Sequence, residues 1–195
     1  MPMTTNTATE PPTAAVVFTD ETLRTAAGLA ADSYRPVWTG PSGEESSGES
    51  VARHLEATAA LLDKDGWVRI YDCGKDWTTS ADLADDDSMT VKAMLKSLLR
   101  WVREDVGNDP QRTLSTALRH VAEGGGHGDP GTAAIASDVL DLLIRAHTGS
   151  DTARATPWSE RLTRTHADIT ALLTAGARFA RTYGPGAAEV TGKTD

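Results

Sequence analysis

The chain has 195 residues, 39% of them hydrophobic and 24% charged, and a formal net charge of -9. That length suits one domain with flexible ends, and the negative charge opposes non-specific binding to DNA or to anionic membranes. A single cysteine, Cys73, excludes an internal disulfide and a four-cysteine zinc site, and fits a reducing cytoplasm.

Residues 1–13 are mostly Thr, Pro, Ala and Met with no apolar period and read as a disordered arm. The apolar run Ala14–Phe18 reads as a short strand or a lead-in to a helix. Thr19 or Asp20 caps a helix to about Asp32, with Leu23, Ala26, Ala27 and Ala30 on one face. Pro36 stops it, and residues 39–50 have the composition of a flexible linker. Ser50 is expected to cap a helix over 51–64, where Val51, Leu55, Ala59 and Leu62 form a stripe ended by Gly66.

Residues 67–72 alternate bulky and polar side chains and read as a strand, with Ala14–Phe18 as its expected partner. A loop carrying Asp85, Asp86 and Asp87 follows. The most regular stripe is Val91, Met94, Leu95, Leu98, Leu99 and Val102, which predicts a helix over 90–106. Asp109 caps the next predicted helix, to about Glu123, with Pro110 in its first turn. Glycines over 124–131 break the chain and suggest a hinge. Helices are then expected over 131–147 and 165–181, residues 148–157 form a loop, and 183–195 form a disordered tail.

The fold expected is all-α or mainly α. It is an irregular bundle of about six helices in one domain over 14–182, with at most a small two-stranded β element. Leu95, Leu98, Leu118, Leu142 and Leu172 are the expected centre of the core. No stretch approaches the roughly 20 apolar residues of a membrane span. With no signal-like N-terminus, the expected location is cytoplasmic.

Two segments carry a family resemblance. "HLEATAALLDKDGWVR" (54–69) is a helix running into Gly66-Trp67, and "TPWSERLTRTHADITALLTAGARFAR" (156–181) places Trp158, Arg164 and Thr165 before a closing helix. This order resembles an actinobacterial and actinophage family known as domain of unknown function 6197, over about residues 50–182. The chain departs from that pattern in two places. Ser159-Glu160 stand where the family has Asn-Asp, and "SMTVKAMLKSLL" (88–99) lacks the family's middle cysteine and glycine. The resemblance implies a helical fold and a bacterial or phage source, and no reaction.

The chemistry legible in the residues is limited. There is no G-x-S-x-G, Walker loop, H-E-x-x-H or EF-hand pattern, so no catalytic residue, metal ligand or cofactor is assigned. The leading reading is a non-enzymatic interaction or accessory protein, acting through a protein partner or by self-association. Trp67, Trp158, Arg161 and Arg164 are its candidate cluster, because guanidinium groups both stack on indoles and pair with anions. One alternative is a nucleic-acid-binding regulator. It would use Lys92, Lys96, Arg100 and Arg103, a basic face on helix 90–106 that serves equally as a solvated outer surface. Another alternative is an enzyme with an unrecognised pocket.

Overall fold

The computed structural model describes residues 15–70, 90–92, 95–96 and 111–187. The fold is mainly α. Among the described residues six helices carry a name: α1 (Asp20–Ala31), α2 (Gly48–Asp65), α3 (Leu114–Glu123), α4 (Pro130–Thr148), α5 (Ala155–Ser159) and α6 (His166–Tyr183). No helix among these residues is long and apolar enough to cross a membrane.

Each long helix starts where a side-chain oxygen can accept an otherwise orphaned backbone N–H. Thr19 caps α1 by accepting from Thr22 N. Ser47, not Ser50, caps α2, and Ser50 N donates to its hydroxyl at 3.1 Å. The stretch expected to be a linker has its own bonds. Gly40 N donates to Glu44 O at 2.8 Å and Ser46 N to Trp38 O at 3.0 Å. Asp129 caps α4 with Pro130 in the first turn, and Thr165 caps α6 in a reciprocal box with Asp168.

α4 is the centre of the bundle and touches α1, α2, α3, α5 and α6. A helix with neighbours on several sides must be apolar beyond one stripe. Leu140 and Ile144 are accordingly buried beside the expected Ile135, Val139, Leu142 and Leu143. α2 and α6 pack face to face. Gly176 lets them close, since a Cβ there would stand 2.8 Å from Leu140 and 2.9 Å from Leu55. Each fully buried leucine contributes about 1.5–3 kcal/mol of transfer free energy. Arg181 of α6 pairs with Glu49 and Glu56 of α2 on the outer side of this contact.

The glycine-rich break after α3 is anchored. His54 of α2, fully buried, holds the His127 carbonyl with Nδ1 at 2.9 Å. Gly128 fits there at φ +122, where a side chain would meet Thr132 and His54.

Four further expectations need correction. Trp67 pairs with Arg112 in an isolated parallel bridge, not with Ala14–Phe18. The apolar run is held elsewhere: Val16 N donates to Asp168 Oδ1 at 2.7 Å. The same bridge moves the start of α3 to Thr113, because Arg112 N donates to Gly66 O and its carbonyl accepts from Val68 N. Asp109 and Pro110, the expected cap and first turn, lie outside the described residues.

The third correction is α5, which folds in a stretch expected to be loop. It has no side-chain cap of its own, and Asp141 of α4 accepts Ala155 N at 2.7 Å in place of one. The fourth is Leu95, expected at the core centre but 55% exposed, with Val91 at 84%. An apolar stripe is buried only where another apolar face covers it, and here none of the described elements does. Leu118, Leu142 and Leu172 are buried as expected; Leu98 lies outside the described residues.

Candidate functional site

Trp158 is 1% exposed and forms the floor of the site. Phe18 meets it edge-on at 6.2 Å and lies 5.0 Å from the His147 ring at the end of α4. The Arg164 guanidinium lies over the indole face, 4.2 Å from its centroid. That arrangement combines stacking with attraction to the ring quadrupole. Arg164 Nη1 also comes to 4.0 Å from Asp168 Oδ2.

Asp168 ties the run before α1 to the start of α6. Its carboxylate accepts from Val16 N at 2.7 Å, Thr165 N at 2.9 Å and Thr165 Oγ1 at 3.1 Å. Burial works to raise its pKa, but the Val16 and Thr165 hydrogen bonds and Arg164 together outweigh burial and hold it below the usual value. Burial lowers the His147 pKa, and the positive charge of Arg164 adds to the shift.

The corner between Trp158 and Arg164 meets the loop after α2. Arg69 Nη1, in the loop after α2, donates to the Leu162 carbonyl in the α5–α6 corner at 2.7 Å. Two large aliphatics flank that bond in the open: Ile70 is 64% exposed and Leu162 85%. Arg161 is exposed, and no ion pair involves it among the described residues. Trp67 Nε1, Trp158 Nε1 and Arg164 Nε are buried without a hydrogen-bond partner.

Of the four residues predicted from sequence, Trp158 and Arg164 form one stack. Trp67 sits half-buried against the core in the neighbouring loop, and Arg161 faces solvent. Trp158 is therefore a core residue and not a surface anchor, because Phe18 and Arg164 cover it. Lys92 and Lys96 are exposed, while Arg100 and Arg103 lie outside the described residues. Residue patterns alone do not mark Ile70, Leu162 or Arg69 as site residues. Leu162 had one signal, as the lone aliphatic in the polar run Glu160–Thr165.

Two shallow grooves lie elsewhere. One, of about 550 Å³, runs beside Val16–Phe18 along α6, between the His166–Asp63 pair and the Arg178–Asp20 pair. The other, of about 360 Å³, lies between α3 and α4. Among the described residues no three His, Cys, Asp or Glu side chains are grouped to hold a metal ion.

No curated protein and no solved structure matches the chain. A family model does match, over residues 46–179, which include α2, α6 as far as Phe179, and Trp158, Arg164 and Asp168. The chain belongs to the family of unknown function DUF6197.

Proposed function

We propose that this chain is a non-enzymatic helical interaction or accessory protein that docks a protein partner at the edge formed by Ile70 and Leu162. The carrying observation is that these two large aliphatics stand in water on adjoining loops held together by the Arg69–Leu162 bond. Exposed apolar groups set on a rigid base bind at low entropic cost. The base here is the Trp158–Arg164–Asp168 stack. Bacterial or phage origin and a cytoplasmic location belong to the same reading, on the family resemblance and the single cysteine.

The test is affinity capture with the partner identified by mass spectrometry, followed by hydrogen exchange on the complex. Protection over 66–70 and 160–165 is expected. Leu162→Asp should lose the partner with an unchanged melting temperature. Protection confined to other elements, a Leu162→Asp chain that binds like the parent, or no partner retained at all overturns the reading.

A nucleic-acid reading has one observation in its favour, the exposure of Lys92 and Lys96 on one helical turn. A gel shift with duplex DNA at low salt decides it. A shift at micromolar protein that Lys96→Glu weakens would favour it over partner docking.

A further inference from the structure

We infer that the partner segment docking at this edge is acidic: its carboxylates meet Arg161 and Arg69 while an apolar side chain packs against Ile70 and Leu162. The inference rests on the docking reading above and adds the partner's chemistry.

Charge and hydrogen bonding point the same way. The whole chain carries -9, yet this edge presents guanidinium groups that lack carboxylate partners among the described residues. Arg161 has none, and Arg69 bonds only a carbonyl. The acids close by are largely engaged. Asp168 already accepts three hydrogen bonds, Asp65 holds Arg112 at 3.0 Å, and Asp63 faces His166 at 3.2 Å. Glu160 is exposed on the same corner and opposes the field of the arginines only in part.

The guanidinium groups of Arg161 and Arg69 carry positive charge and several N–H donors each, and a carboxylate supplies acceptors with the complementary charge. A guanidinium fork takes a carboxylate in a bidentate pair, which gives orientation as well as attraction. The acidic side chains would steer the encounter, and the aliphatic contact would set how long it lasts.

The experiment uses the full chain and two labelled peptides, followed by fluorescence anisotropy. One peptide carries glutamates around a leucine anchor, and its twin has every glutamate replaced by glutamine. The acidic peptide should bind about tenfold more tightly, roughly the value of one charge-assisted pair. That advantage should shrink with added salt and vanish in Arg161→Glu, a substitution at an exposed residue with no ion pair or side-chain hydrogen bond among the described residues. Equal affinity for the twins, a preference indifferent to Arg161→Glu, or no binding of either peptide overturns the inference. Equal affinity that Leu162→Asp abolishes leaves docking standing and removes only the acidic preference. Binding indifferent to both substitutions removes both. A dimer of the free chain that Arg161→Glu dissolves would make the occupant a second copy and also overturns the inference.

Discussion

The α2–α4–α6 interior and the edge above Trp158 are stabilised by opposite means. In the interior, Leu55, Leu140, Leu143, Leu172 and Phe179 are fully buried, and Gly176 removes the last obstacle to contact. At the edge, a few polar bonds reach across long stretches of sequence: Asp168 to Val16, Asp141 to Ala155, Arg69 to Leu162. The interior leaves little for a partner to add. The edge leaves aliphatics in water and guanidinium groups without carboxylate partners among the described residues, so binding there would complete contacts that folding leaves open.

Trp158→Ala tests that contrast most severely, because Trp158 lies under the edge but is buried like the interior. It should cost about 3–5 kcal/mol, as for other large-to-small aromatic changes, read by urea denaturation. A loss below about 1 kcal/mol would return Trp158 to the role of a surface anchor. Leu140→Ala should cost about 2–5 kcal/mol, and Gly176→Val about 1–3 kcal/mol or more from overpacking. If either were neutral, α2, α4 and α6 would not be packed as described.

Protonation gives a finer measure. Burial lowers the His54 pKa, against the pull of the His127 and Leu118 carbonyls, and burial lowers that of His147. For a histidine lowered in this way, the unfolded chain takes up its proton first as pH falls. Stability is then complete above the unfolded value of about 6.5 and declines below it, down to the folded pKa. Asp138 and Asp141, raised by burial, act in the opposite sense at more acidic pH. The difference in slope between the parent chain and His54→Gln, followed from pH 7 downward, isolates the interior histidine. An unchanged slope would mean that His54 titrates normally.

Two surface substitutions should do least to stability. Arg181→Met removes the pairs with Glu49 and Glu56, but in solvent such pairs are worth less than about 1 kcal/mol. Leu162→Asp should change thermal stability by no more than about 0.5 kcal/mol, even though the docking reading requires it to abolish binding. A large loss of stability from Leu162→Asp would place that residue in the interior.

Much of the interior is legible from spacing. Val51, Leu55 and Leu62 mark the face of α2, and Ile169, Leu172, Leu173 and Gly176 that of α6. Trp158 and Arg164 stood out as a pair through the family resemblance, and they stack. Their burial was not legible, because the cover comes in part from Phe18, 140 positions earlier in the numbering. Leu162 stays illegible because one aliphatic in a polar run carries no period.

The course of α2, α4 and α6 can be read along the chain. Helical faces repeat every three to four residues, and their caps lie within the same few positions, so neighbours along the chain contain that information. Packing in three dimensions sets the rest: Trp67 pairs with Arg112, Asp141 caps α5, Asp168 holds Val16 and Leu95 stays wet. Each of these depends on a donor, acceptor or apolar face supplied by a distant segment. Residue patterns encode a group's need for a partner far better than they encode which partner the fold will bring.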